Sequence, residues 1–274
     1  MLIRLGHSPD PDDAFMFWAL AAGRVDQRGF EFEYVTEDIQ TLNELAREGR
    51  LEVTAMSLAT YPAVQDTYML LPHGASMGSG YGPVLVGREE LTREQLASTE
   101  IVIPGRGTTA YLVLKMVLGE FTAREVPFDE IIDEVSSGRA DAGLVIHEGQ
   151  LTYRAEGLHK LIDLGEWWLL ETGLPLPLGV NVARRDVPRL DELSAVLRDS
   201  ITAGLEHREE ATQYALGFAR DLDAKTADRF IEMYVNEFTC DYGDEGRRAV
   251  TELLRRAEEA GVYEQPVRIE FVGT

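Results

Sequence analysis

One pattern occurs twice in this 274-residue chain, about ninety residues apart, and it restricts the possible folds more than any other feature. In the first copy, Leu42-Asn43-Glu44-Leu45-Ala46-Arg47-Glu48 reads as an amphipathic helix closing at Gly49. Arg50-Leu51-Glu52 and the strand Val53-Thr54-Ala55-Met56 follow. In the second, Ile131-Ile132-Asp133-Glu134-Val135-Ser136-Ser137 closes at Gly138, and Arg139-Ala140-Asp141 leads into the apolar strand Ala142 to Ile146. Both run helix, glycine C-cap, Arg, apolar residue, acid, strand. In register, Leu58 stands opposite His147, with Ser57 just before it. The units upstream correspond as well. Ile3-Arg4-Leu5 passes through Gly6-His7-Ser8-Pro9 into Ala14 to Trp18, and Ile101-Val102-Ile103 passes through Pro104 to Thr109 into Ala110 to Leu114. Two matches in the same order predict an α/β protein of paired lobes.

The length suits two domains, and a hydrophobic content of 45% is enough for a sizeable core. Gly82 to Gly87 and Leu176 to Ala183 read as strands crossing between the lobes. Thr92 with Gln95 reads as a capping box opening a short helix. After Arg185 the pattern turns helical over 191–205, 209–220, 226–236 and 244–260, the last closed by Gly261. Two crossings return these helices to the first lobe and leave a cleft. The expected domains are therefore 1–87 with 184–274, and 88–183.

With 48 acidic against 26 basic groups, the chain carries a formal charge of −22. That argues against nucleic acid or an anionic membrane surface as partner, since both require basic patches. Solubility alone explains the acidity, so it says nothing positive about a small-molecule substrate. Cys240 is the only cysteine, so neither an intrachain disulfide nor a cysteine metal cluster is available. Met1 to Gly6 enters a strand directly, and Pro9 and Pro11 interrupt any signal-peptide core. No apolar run approaches the roughly 20 residues of a membrane span. A cytoplasmic protein is expected.

The candidate site gathers at four strand ends: Gly6-His7-Ser8, Met56-Ser57, Gly107-Thr108-Thr109 and Ile146-His147. In open α/β sheets ligands bind at the carboxyl ends of strands. Helices starting there present unused N–H groups and a positive dipole end, which suit carboxylates and hydroxyl-rich ligands. Ser8, Ser57, Thr108 and Thr109 add hydroxyls, though each also serves as an ordinary N-cap. Arg106 offers a cation to an anionic ligand or simply lies on the surface. Gly105 to Thr109 lacks the lysine and spacing of a phosphate loop. His147 is the expected base, because imidazole titrates near neutral pH, or else it orders its loop. Asp10, Asp12 and Asp13 fail calcium-loop spacing and read as first-turn charges complementing a helix dipole. His7 is placed at the cleft, and His73, His159 and His207 on loops or helix surfaces. Trp167-Trp168 reads as packing or a cleft wall. No metal or organic cofactor is expected.

Several segments carry a resemblance. Ser8-Pro9-Asp10-Pro11-Asp12-Asp13-Ala14-Phe15, Pro104-Gly105-Arg106-Gly107-Thr108-Thr109-Ala110-Tyr111 and Gly143-Leu144-Val145-Ile146-His147-Glu148 resemble the 1,4-dihydroxy-6-naphthoate synthase family. So do Gly173 to Gly179 and Tyr234-Val235-Asn236. That family belongs to the futalosine route to menaquinone and is built on the two-lobed, type II periplasmic-binding-protein fold, with a mixed sheet in each lobe and two crossing strands. The resemblance implies a carbon–carbon lyase converting cyclic dehypoxanthine futalosine to 1,4-dihydroxy-6-naphthoate in an interlobe cleft. It puts the general base on His147 and substrate contacts on Ala55, Met56, Ser57, Thr109 and Ala110. Two positions depart from it, Ala55 standing for a lysine and Gly107 for a bulkier polar residue. The substrate carboxylate is thereby left to helix ends or Arg106. Two rival readings share the fold: a small-anion binding protein without catalysis, and the chorismate dehydratase of the same pathway.

Overall fold

The computed structural model describes residues 1–218 and 223–273. Among the described residues, eleven strands run in chain order. They are β1 (Leu2–His7), β2 (Glu31–Thr36), β3 (Val53–Ser57), β4 (Tyr68–Leu70), β5 (Ser76–Gly78), β6 (Val84–Gly87), β7 (Glu100–Ile103), β8 (Thr122–Glu125), β9 (Ala142–Val145), β10 (His159–Asp163) and β11 (Leu176–Arg184). They form two sheets, ordered β2-β1-β3-β11-β4 with β5 beside β11, and β10-β6-β9-β7-β8. In the first, β1 runs parallel to β2 and β3 while β11 is antiparallel to β3. In the second, β7 runs parallel to β8 and β9 while β6 is antiparallel to β9. Both sheets are mixed, as expected.

The repeat is real and the registers date it to the residue. Leu5 pairs with Val53 in one sheet, and Ile101 with Ala142 in the other. Gly49 and Gly138 close their helices at φ +67° and +79°, and His147 is thereby the counterpart of Leu58. The shared acid also has a job. Glu52 binds Arg4 at 2.8 Å and Arg184 at 3.1 Å, and Asp141 binds Arg88 at 3.2 Å. Each acid thus pins an arginine at the end of, or just past, the antiparallel strand of its own sheet.

The chain divides into two compact units, 1–77 with 177–274, and 78–176. These boundaries differ from the expected 87/88 and 183/184, and strand pairing is the reason. Val84–Gly87 lies against β9 and β10, so it belongs wholly to the second unit; β11 pairs with β3 and β4 over Gly179–Arg184, so from Pro177 on it belongs to the first. The chain changes unit within β5 and again at the start of β11.

In the first unit, α1 (Pro11–Ala21) is buried on every side from Pro11 to Leu20. It needs no polar face, because Leu190–Glu206, Arg208–Ala215 and Ala224–Tyr234 pack around it. Ile3, Leu5, Phe17, Val196 and Ile201 share one core there, and Phe15, Trp18, Ala211 and Ile231 a second. Three of the C-terminal helices fall close to their expected spans, ending with Gly243–Glu259, whereas the one expected over 209–220 ends at Ala215 and turns over 216–218. Arg220, at the end of the helix expected over 209–220, lies outside the described residues. By contrast, α2 (Ile39–Arg47) is amphipathic, burying Leu42, Asn43 and Ala46. It is capped by Asp38, which accepts from the N–H groups of Gln40 and Thr41, a cap worth about 1 kcal/mol. In the second unit, Val84, Val86, Val102, Ile131, Val135 and Val145 form the core, and the capping box of Thr92 and Gln95 is present.

Candidate active site

Because β7 and β9 are adjacent and parallel, their carboxyl ends open on one edge of the second sheet. From β7 the chain turns through 104–108 into the helix Thr109–Leu118. From β9 it passes through Ile146 to His147. The His147 backbone is left-handed at φ +52°, an uncommon conformation for a residue with a side chain. Such strain persists where the surroundings over-determine it, and it concentrates at functional sites. The His147 carbonyl accepts from the Gln150 N–H at 3.2 Å. Its half-buried ring meets Phe128 edge-on, centroids 4.8 Å apart. Phe128 arrives from the end of β8, on the same sheet edge.

Thr109 and Ala110 are the first two residues of their helix, both buried, with N–H groups in the turn that a helix's own ladder does not use. Thr108 caps that helix. Its hydroxyl accepts from the Tyr111 N–H at 3.2 Å and donates to the Gly105 carbonyl at 2.8 Å, so it holds the loop together. Arg106 is engaged on three sides, by Glu125 at 2.9 Å, the Ala123 carbonyl at 2.9 Å and the Tyr111 hydroxyl at 3.1 Å.

In the first unit, the ends of β1 and β3 lie side by side. Ser57 closes β3. Its N–H donates to Oδ1 of Asn43 at 2.9 Å, and its Oγ accepts from Asn43 Nδ2 at 3.2 Å. The Ala55 side chain packs with Leu42 and Leu51, and Met56 is fully buried, so neither side chain leaves the core. Ser8 is tied down: its N–H donates to Asp13 at 2.8 Å and its hydroxyl to Asp10 at 2.7 Å. Asp12 accepts from the Ser76 hydroxyl at 2.9 Å. Asp12 and Asp13 do stand in the first turn of α1, yet with Asp10 they are buried rather than solvated. They organise the loop that enters the helix. Burial pushes the Asp13 carboxyl above the usual carboxylate range, and the facing His7 only partly opposes this.

Two histidines correct the expectations. His7 lines nothing open: it is 2% exposed, with Phe17, Tyr34 and Phe218 at 5.6, 6.0 and 5.9 Å around its ring. Apolar neighbours of β1 close over the strand end. His73 does lie on a loop, between β4 and β5, but it is 1% exposed, with Nε2 at 2.9 Å from the Ser194 hydroxyl. Loss of hydration, reinforced by the Arg198 cation, pulls its pKa down to about 4. Trp168 is core, donating from its indole to the Pro175 carbonyl at 3.0 Å. Tyr234 is buried beside Phe230, and Asn236 caps Glu237–Cys240 while binding the Met77 carbonyl at 3.0 Å. Among the described residues, no group of three or more His, Cys, Asp or Glu side chains is placed to hold a metal.

Sequence reasoning missed Asn43 and Phe128. Asn43 had a signal: it is the polar member of the buried set Leu42, Asn43, Ala46 on an amphipathic helix, where asparagine is intrinsically unfavourable. Phe128 had none, since only the packing of β8 beside β7 brings it to His147.

A family profile described as menaquinone biosynthesis matches residues 3–259. A 1,4-dihydroxy-6-naphthoate synthase from Thermus thermophilus is 42% identical over 272 residues, 98% of this chain and 99% of its own. A solved structure of a protein from Archaeoglobus fulgidus, 44% identical, superposes with a TM-score of 0.91 over 96% of this chain and 98% of its own. A Candida albicans protein with the generic periplasmic-binding-protein fold superposes at 0.70 over 97% of this chain and 92% of its own. At 15% identity it speaks for the fold alone. With the paired mixed sheets and near-complete coverage, these likenesses establish that the chain is an enzyme belonging to the menaquinone-biosynthesis family.

Proposed function

We propose that the chain is a carbon–carbon lyase that converts cyclic dehypoxanthine futalosine to 1,4-dihydroxy-6-naphthoate, with His147 as general base. The observation that carries this reading is the position of His147. It is a half-buried imidazole in a strained backbone conformation, on the sheet edge where a helix begins at Thr109. The relative from Thermus thermophilus, whose name is that of the synthase, supports the choice of reaction.

An unprotonated imidazole accepts a proton from the ribose-derived ring of the substrate. The electron pair left there moves outward and breaks a carbon–carbon bond, the ribose-derived fragment leaves as the second product, and aromatisation of the naphthalene drives the step forward. Oxygen functions that gain charge are met by the first-turn N–H groups of Thr109 and Ala110 and by the Ser57 hydroxyl. Ala55 and Met56 contribute through their main chain at the end of β3. The Thr108 hydroxyl and the Arg106 guanidinium act from behind, holding the 105–111 loop in shape.

A positioned base contributes about 10²–10⁴ in rate. His147→Ala is therefore expected to lower kcat by that factor with KM changed less than about threefold. The wild-type protein incubated with cyclic dehypoxanthine futalosine, and separately with chorismate, is assayed for the naphthoate product. Turnover of chorismate alone makes it the dehydratase; binding without turnover of either makes it a binding protein. Near-normal kcat in the alanine variant removes His147 from the role.

A further inference from the structure

We propose that Asn43 is a positioning residue that fixes the Ser57 hydroxyl as a hydrogen-bond donor toward a substrate oxygen, a carboxylate or a developing enolate. The inference rests on the reading that Ser57 meets the substrate.

The argument begins with two hydrogen bonds. The main-chain N–H of Ser57 can only donate, so the atom of Asn43 that faces it at 2.9 Å is the carbonyl oxygen. The amide nitrogen of the same side chain then faces Ser57 Oγ at 3.2 Å and can only donate to it. The amide orientation follows from the chemistry of its partners and not from a choice between like atoms. Ser57 Oγ is thus an acceptor toward Asn43, and its own proton must point elsewhere. It finds no acceptor among the described residues, although the residue is 4% exposed. A buried hydroxyl proton left without an acceptor costs stability, and a site that will later receive an oxygen tolerates that cost. Ser8, at the neighbouring strand end, behaves oppositely. Its proton goes to Asp10 at 2.7 Å, so it has none to give a ligand.

The internal repeat supplies an independent observation. Under the register that pairs Val53 with Ala142, Asn43 corresponds to Ile132 and Ser57 to Ile146. Two apolar positions in one unit are two polar positions in the other, and those two polar residues bond to each other. Asn43 is 1% exposed on α2, a place where helix propensity and burial both favour leucine or alanine. A purely structural need would be met by the apolar pair that the second unit uses.

The test is a cycle of Asn43→Asp, Ser57→Ala and the double variant, read as kcat, KM and thermal unfolding with cyclic dehypoxanthine futalosine. Aspartate still accepts from the Ser57 N–H but also accepts the hydroxyl proton, reversing the direction of the bond. Ser57→Ala should lower kcat/KM about 100-fold, as removal of a donor to developing charge does. N43D should come within about threefold of that loss, and the double variant should be no worse than S57A by more than about threefold. Should N43D not fold, Asn43→Ala carries the same comparison. An active S57A overturns the role of Ser57 on which the inference rests. An impaired S57A beside an N43D of wild-type activity, or losses that multiply in the double variant, overturns the role of Asn43 alone.

Discussion

The residues that matter here are polar groups whose roles differ according to what surrounds them, and histidine shows the range. His147 is half-buried at a strand end, His7 is enclosed by three aromatic rings, and His73 is buried against Ser194. Only the first could be read from its place after an apolar run. The others depend on which distant segments fold over them, and nothing within a few residues of His73 announces Ser194. The His73 environment has a measurable consequence. Its folded pKa of about 4 lies below the ordinary value of 6.5, so between those pH values the unfolded chain binds a proton that the folded chain refuses. Stability is fully kept above pH 6.5 and lost as pH falls toward 4. His73→Gln removes this dependence. In urea unfolding, wild type should lose on the order of 1–3 kcal/mol more than H73Q between pH 7 and pH 4.5. Parallel slopes for the two proteins would refute it.

At the level of elements, the two copies of the repeat reach the same packing by different residues. In the first sheet Gly6 pairs with Thr54; in the second, Val102 pairs with Gly143. One glycine serves each pair, on opposite strands. A Cβ on Gly6 would lie 2.6 Å from Leu51 and 2.9 Å from Leu42. One on Gly143 would lie 2.7 Å from Ile131 and 2.8 Å from Val135. In both cases the missing side chain lets a helix sit close on the sheet, which is how α2 and the helix Ile131–Ser136 come to frame the strand ends. Gly143→Ala should destabilise by about 1–3 kcal/mol, as overpacking in a filled core does. The midpoint of thermal unfolding reports it, and an unchanged midpoint would show the helix free to shift. The helix, glycine and acid of each copy were legible because they are local. The compensation between Gly6 and Gly143 was not, because it appears only once strands far apart in sequence are paired.

Over the whole molecule, charge and topology act together. A formal charge of −22 would repel the carboxylated substrate proposed for the chain before any contact is made. Encounter should therefore improve when salt shortens the screening length, which is about 30 Å at 0.01 M and about 8 Å at 0.15 M. The expected result is a severalfold rise in kcat/KM over that range. A fall would mean that a local positive field, such as the helix end at Thr109, governs approach instead. Among the described residues no helix is long and apolar enough to cross a membrane.

Local chemistry sufficed for the α/β class, the doubled pattern, the helix caps and the singling out of His147 and Ser57, since each rests on a few consecutive residues and their periodicity. The unit boundaries, the burial of Asp10, Asp12, Asp13 and His73, the meeting of Phe128 with His147 and the bonding of Asn43 to Ser57 came from elsewhere. These are settled by strand order and by helix-on-sheet packing, which join segments that carry no mark of one another in the linear chain.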